Sequence, residues 1–166
     1  MAAVLPDVLP PGQRVVFCGT AAGTASARAK AYYAGRGNRF WAVLAEIGLT
    51  PTELAPAEFA RLPEFGIGLT DICKVLHGSD LEVGTVEFDV AGLQARIAEA
   101  EPANLAFNGK NAARGALERS VEYGVQEETI GSATVWVLPS TSGAARGFWD
   151  VAPWRELADS LGSGAG

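Results

Sequence analysis

Short unbroken apolar runs separate longer stretches in which apolar residues return every three or four positions, and this alternation organises the whole chain. Val15-Val16-Phe17-Cys18 is such a run, as is the stretch from Ile67 to Thr70 that closes on Asp71, and both read as strands buried on two faces. A third strand is expected over residues 104–108. Residues 125–130 and 134–138 give two more, joined by the hairpin-type turn Gly131-Ser132. Between them the period lengthens. Phe40, Trp41, Leu44 and Ile47 recur at helical spacing after Asn38 and stop at Gly48, and Thr50-Pro51 opens a second short helical region ending near Pro63 or Gly66. Further helices are expected over residues 90–100, with Leu93 and Ile97 on one face, from 111 to about 121 behind Gly109, and over 150–161, where Pro153 falls in the first turn. Leu9-Pro10-Pro11-Gly12 reads as a lead-in turn and residues 78–87 as a polar loop.

Strands alternating with helices predict an α/β fold, a three-layer α/β/α sandwich around a mainly parallel central sheet. The 166 residues suit one domain, 1–161, followed by a disordered small-residue tail, 162–166. With 48% hydrophobic and 19% charged residues, the composition is that of an ordinary globular protein. A net charge of -6 argues against indiscriminate coating of nucleic acid but leaves room for a focused cationic cleft. The two cysteines, Cys18 and Cys73, lie among apolar residues without close spacing, so they read as reduced core thiols, and no metal site or cofactor is expected. The segment Met1 to Asp7 has no basic region, and no stretch approaches a membrane span. A cytoplasmic monomer is the expectation.

The chemistry concentrates at the strand ends. The first strand empties into Gly19-Thr20-Ala21-Ala22-Gly23, where small residues let backbone approach a ligand. From Val8 to Ala45 there is no Asp or Glu, while Arg14, Arg28, Lys30, Arg36 and Arg39 all fall inside, a local positive charge beside the glycine loop. In a parallel sheet the loops after Cys18, Thr70, Phe107 and Leu138 open on one rim. They carry Gly19 to Gly23, Asp71, Asn108-Gly109-Lys110, and Pro139-Ser140-Thr141-Ser142-Gly143-Ala144-Ala145-Arg146. Hydroxyls and free backbone N–H groups in the last loop suit a phosphate backbone.

These residues resemble a known family, the mismatch-specific uracil and thymine DNA glycosylases of the uracil-DNA glycosylase superfamily. The likeness runs in register from Arg14-Val15-Val16-Phe17-Cys18-Gly19 through Asn38-Arg39-Phe40-Trp41 and Phe107-Asn108-Gly109-Lys110 to Trp136-Val137-Leu138-Pro139 and Ser142-Gly143. It implies a monofunctional glycosylase of base excision repair that flips deoxyuridine out of DNA and hydrolyses its N-glycosidic bond. Its partner would be DNA containing uracil or a mismatch. By the same resemblance Tyr33 stacks on the base, Gly19, Thr20, Ala21 and Ala22 line the pocket, and Gly23 approaches the sugar. Arg39, Lys110 and the loop residues Ser142, Gly143, Ala144, Ala145 and Arg146 meet the DNA. No Schiff-base lysine follows the first motif, since Lys30 and Lys110 only flank it, so no lyase activity is expected.

The chain departs from that family at two points. Ala21 stands where the family places an Asn or Asp that positions the hydrolytic water, and Ser140 stands near the position of a histidine that stabilises the departing uracil in the main branch. The expected catalytic set is therefore Asp71, Thr20 and Ser140. Asp71 could accept the N3–H of uracil or orient a water; alternatively it caps the segment after it. Asn108 offers an amide to a pyrimidine edge or serves as a turn residue, and Asn38 contacts the base or caps the helix behind it. Tyr33 could instead pack on Tyr32, Phe40 and Trp41 read as core, and His77 reads as solvent-exposed. The small Ala144-Ala145 tip leaves Arg146 or Phe148 to fill the flipped nucleotide's gap. Other readings are a catalytically inactive lesion-binding or mismatch-binding protein, and a glycosylase for hypoxanthine, xanthine or thymine opposite guanine. A serine hydrolase is disfavoured because no G-x-S-x-G elbow is present.

Overall fold

A computed structural model describes residues 5–20, 24–73 and 88–162. Its centre is a five-stranded sheet in the order β2-β1-β3-β5-β4, built from β1 (Val15–Gly19), β2 (Ile67–Asp71), β3 (Asn104–Asn108), β4 (Gly124–Ile130) and β5 (Ala133–Leu138). β2, β1, β3 and β5 run parallel, and β4 pairs antiparallel with β5 at the edge. The expected α/β architecture with a mainly parallel sheet is therefore what the chain adopts. At the opposite edge Val8 bridges Leu69 in antiparallel fashion, the two residues exchanging N–H···O bonds of 2.8 Å.

Two apolar layers cover the sheet, and each strand supplies both, because successive side chains point to opposite faces. Val15, Phe17, Ile67, Leu69 and Leu138 face α2 (Phe40–Glu46) and α5 (Ala152–Ser160), through Phe40, Leu44, Trp154 and Leu157. Val16, Cys18, Leu105, Phe107 and Val137 face α3 (Val90–Ala100) and α4 (Lys110–Leu117), through Leu93, Ile97 and Ala113. Phe17 is stacked on Trp154 at 5.4 Å and meets Phe40 edge-on, so the first layer is aromatic directly beneath the end of β1.

Several elements differ from their sequence expectation. A short helix, α1 (Thr24–Ala29), lies behind the glycine loop, where small residues give no apolar period to read. The second helical region is a 3-10 helix, Pro56–Phe65, closed by Gly66 at φ 77°. α4 ends at Leu117 rather than near 121, with Glu118 in the left-handed region at φ 57°. There Arg119 turns away to bind Glu128 of β4 at 2.6 Å and Gln126 at 2.8 Å, a tertiary claim that local periodicity does not register. The expected loop over 78–87, His77 and residues 163–166 of the expected tail lie outside the described residues. Among the described residues no helix is long and apolar enough to cross a membrane.

Candidate active site

The register of the sheet assembles the rim. Gly19 of β1 lies opposite Asp71 of β2, Cys18 opposite Phe107 of β3, and Asn108 opposite Leu138 of β5. Four strand ends thus stand side by side. Arg14 is a correction to the expected cationic cluster. It precedes β1 at the far end of the sheet, and its guanidinium donates to the Phe65 carbonyl at 2.8 Å. Of the remaining cations, Arg28, Lys30 and Arg36 are exposed, and Arg39 is half-buried on the rim side.

Asp71 is only 4% exposed. Period-two alternation places Asp71 on the face of Leu69, and Gly19 on the face of Phe17, the face that carries Tyr33 and Phe40. A methyl group built on Gly19 would stand 2.9 Å from Asp71 Oδ1 and 3.3 Å from the Tyr33 hydroxyl, so carboxylate and phenol converge on the same patch of backbone. Glycine leaves room for that approach, where a Cβ would push the carboxylate aside. Beyond β2 the chain keeps pairing, with Ile72 N–H donating to the Gly19 carbonyl at 2.9 Å and Cys73 N–H to the Thr20 carbonyl at 2.7 Å. Thr20 is held at the strand end in this way.

Tyr33 sits at φ +53°, a conformation costly for a side chain with a Cβ. Its ring is stacked on Phe40 with centroids 4.1 Å apart and planes 28° apart, and tilted against Tyr32 at 6.1 Å. The hydroxyl is closed to water and has no hydrogen-bond partner among the described residues. Burial, then the Asp71 carboxylate, then Cys18 hold its pKa well above the ordinary tyrosine value, and only the nearby Asn108 amide acts in the other direction. The phenol therefore keeps its proton and is available as a hydrogen-bond donor.

Two further elements close the rim. Asn108 donates from Nδ2 to Thr141 Oγ1 at 2.9 Å and accepts the Thr141 N–H on Oδ1 at 3.0 Å, so its amide is joined to the last loop. That loop includes a 3-10 helix, Gly143–Phe148, and is tied down further by Arg39 N–H on the Thr141 carbonyl at 2.9 Å and by Trp154 Nε1 on the Pro139 carbonyl at 3.0 Å. Within it Ser140 Oγ accepts from Ser142 N–H and Ser142 Oγ from Ala144 N–H, at 3.1 and 3.2 Å. Gly109, at φ 106°, packs against Ser140, and a Cβ there would lie 3.2 Å from that of the serine. A Cβ on Gly143 would approach the Arg36 carbonyl to 3.1 Å, so the loop rests backbone to backbone on residues 36 and 37. Phe148 ends the helix 78% exposed.

Asn38 Oδ1 accepts the Phe40 N–H at 2.9 Å, a local turn bond one residue ahead of the N-cap Arg39, and Phe40 and Trp41 are core. Arg39 lies 5.4 Å over the Trp149 ring, with a buried Nε that has no hydrogen-bond partner among the described residues. Lys110 Nζ stands 4.5 Å over the Tyr123 ring, and Ala145 N–H donates to the Ser142 carbonyl at 3.0 Å. Ala21, Ala22 and Gly23 lie outside the described residues, as does the Arg146 side chain. The sequence reading missed Arg96 of α3, which donates to the Asp71 carbonyl at 2.8 Å and approaches Asp7 at 3.3 Å, while Asp7 accepts from Thr70 Oγ1 at 2.7 Å. Partners this far apart in sequence leave no local signal.

Among models of protein families, that of the uracil DNA glycosylase superfamily matches residues 6–158, a span that takes in all five strands and every loop of the rim. Membership carries a DNA glycosylase role in DNA repair and DNA as the substrate. On this match, and on the parallel sheet whose strand ends carry the rim, the chain belongs to the uracil DNA glycosylase superfamily.

Proposed function

We propose that this protein is a monofunctional uracil-DNA glycosylase of base excision repair, acting as a cytoplasmic monomer without metal or cofactor. The observation that carries the reading is the buried carboxylate of Asp71 in register with Gly19 at the sheet rim, in a chain whose first motif offers only Ala21. Deoxyuridine is extruded from the duplex and its base enters between the end of β1 and Asp71. Water adds to C1′ as the C1′–N1 bond breaks, and the bonding pair leaves with the base as its anion. The water's proton passes to solvent and the base anion takes one up, giving free uracil and an abasic deoxyribose, while Asp71 holds the ring N–H of the base in the pocket. Thr20 follows β1 and Ser140 follows β5 on the same rim, and they offer hydroxyls and backbone N–H groups to the developing charge.

Arg39, Lys110 and the loop residues Ser142 to Arg146 form the DNA-facing side, with Gly23 approaching the sugar. Phe148, the most exposed of the large apolar side chains among the described residues, fills the gap left by the flipped nucleotide. Asn108 serves the base pocket through the loop that it holds. Neither Lys30 nor Lys110 follows the first motif, which leaves simple hydrolysis without strand cleavage.

The test is alkali-revealed cleavage of labelled oligonucleotides carrying U, U opposite G, T opposite G or hypoxanthine, single- and double-stranded, by wild type and by Asp71→Ala. Cleavage at uracil that falls by at least a hundredfold in Asp71→Ala is the expected result. Cleavage only at another deaminated base would reassign the substrate. Binding without cleavage on every substrate would make the protein a lesion binder, the reading that Ala21 favours.

A further inference from the structure

Tyr33 is expected, on resemblance, to offer its ring face to a base, yet one face of that ring is already covered by Phe40 at 4.1 Å. What the residue leaves unused is its hydroxyl, buried, without a hydrogen-bond partner among the described residues, and set against Gly19 beside Asp71. A native protein rarely keeps an orphaned buried donor in a left-handed backbone conformation unless something else requires it there.

We propose that the Tyr33 hydroxyl is a specificity-determining group, donating to a carbonyl oxygen of the flipped base while Asp71 accepts the adjacent ring N–H. This rests on the glycosylase reading and names the chemistry its pocket selects. Deamination turns an exocyclic amino group into a carbonyl and the neighbouring ring nitrogen from an acceptor into an N–H donor. Uracil, hypoxanthine and xanthine therefore present a carbonyl beside an N–H. A phenol donor beside a carboxylate acceptor complements that edge. Cytosine and adenine present the reverse order, so the carboxylate would face a ring lone pair and be repelled. A carboxylate has two oxygens and several acceptor positions, so receiving the base N–H does not require Asp71 to give up its other contacts.

The hydroxyl is closed to water in this structure, so the carbonyl reaches it only when Tyr33 or the adjoining strand end shifts. The strained φ of Tyr33 makes it the residue with least to lose by moving. Substrate thus supplies a partner that the described residues do not.

Tyr33→Phe separates ring from hydroxyl, and since the hydroxyl has no hydrogen-bond partner among the described residues, its removal is expected to leave folding intact. The probes are a duplex carrying 2′-fluorinated deoxyuridine, whose glycosidic bond resists hydrolysis, and the same duplex with a tetrahydrofuran abasic analogue. We expect Tyr33→Phe to melt at or above the wild-type temperature, to bind the uracil duplex about tenfold more weakly, and to bind the abasic duplex unchanged. Unchanged affinity for both duplexes would overturn the proposal. Equal loss on both, or a lowered melting temperature, would also overturn it, because the hydroxyl would then be structural. If wild type binds the fluorinated duplex selectively but cleaves no natural substrate, the glycosylase reading fails while the difference between Tyr33→Phe and wild type still decides the role of the hydroxyl. If wild type does not prefer uracil over the abasic site, the hydroxyl reads nothing and the proposal falls.

Discussion

Asn108 and Thr141 hold each other by a reciprocal pair of hydrogen bonds, 2.9 Å from amide to hydroxyl and 3.0 Å from backbone N–H to amide oxygen. The pair joins the end of β3 to the loop after β5, and it explains why an amide stands at a strand end where a simple turn needs none. Asn108→Leu removes both bonds and strands the Thr141 N–H, a loss of about 1–3 kcal/mol in denaturant unfolding. Asn108→Asp keeps the acceptor, and Thr141 can reverse its hydroxyl to donate, so this variant should unfold within about 1 kcal/mol of wild type.

Gly143 is expected to tolerate nothing larger. A Cβ there meets the Arg36 carbonyl at 3.1 Å and atoms of Gly37 at 3.5 Å, a backbone wall that cannot swing aside as a side chain would. Gly143→Val should part the two loops and weaken duplex binding by tenfold or more, while the melting temperature falls by only a few degrees because both core layers lie elsewhere. Fluorescence anisotropy with a labelled duplex, read beside a thermal melt, checks both halves.

Phe148 offers the complementary case. At 78% exposure its side chain contributes little to folding, so Phe148→Ala should shift stability by no more than about 0.5 kcal/mol. Duplex affinity should nonetheless fall, and fall most for an abasic duplex, where an inserted ring has the largest space to fill. A variant indistinguishable from wild type on abasic DNA would assign the gap to another residue.

Alkaline stability should reflect Cys73. Burial first, and then the Asp71 and Asp89 carboxylates, push its thiol from the ordinary 9.0 up to about 11. The folded state keeps the neutral thiol after the unfolded chain has begun to ionise. The stability this contributes is full below pH 9 and is lost as the pH rises toward 11. A melting-temperature profile over that window should fall more steeply for wild type than for Cys73→Ala, with Tyr32 and Tyr33, also raised mainly by burial, extending the decline in both.

The strands were the most legible part of the chain, and for a physical reason. Central parallel strands are apolar on both faces, so Val15 to Cys18 stands out without any alternation. Once the strands are read as parallel, the meeting of Gly19, Asp71, Asn108 and Leu138 on one rim follows from direction alone. Charge was less legible. Arg14 and Arg39 belong to one acid-free stretch, but a strand lies between them and carries Arg14 to the other end of the sheet. Asn38 matched two patterns, and in the structure its side chain makes a local bond to the Phe40 N–H one residue ahead of the N-cap Arg39. Tyr33 was legible as an aromatic and not as a donor, because an orphaned hydroxyl is a property of packing rather than of sequence.

The pairing of Gly19 with Asp71 has a consequence for how such a site can change. Their separation is set by the spacing of hydrogen-bonded strands, about 4.8 Å, and owes nothing to loop conformation. Neighbouring strand ends are thus interchangeable mounting points around one cavity. A polar group can be deleted from one and carried by the next while the ruler between them stays the same. A pocket built this way can lose an amide beside its glycine loop and keep a carboxylate within reach of the same base, with no element of the fold rebuilt.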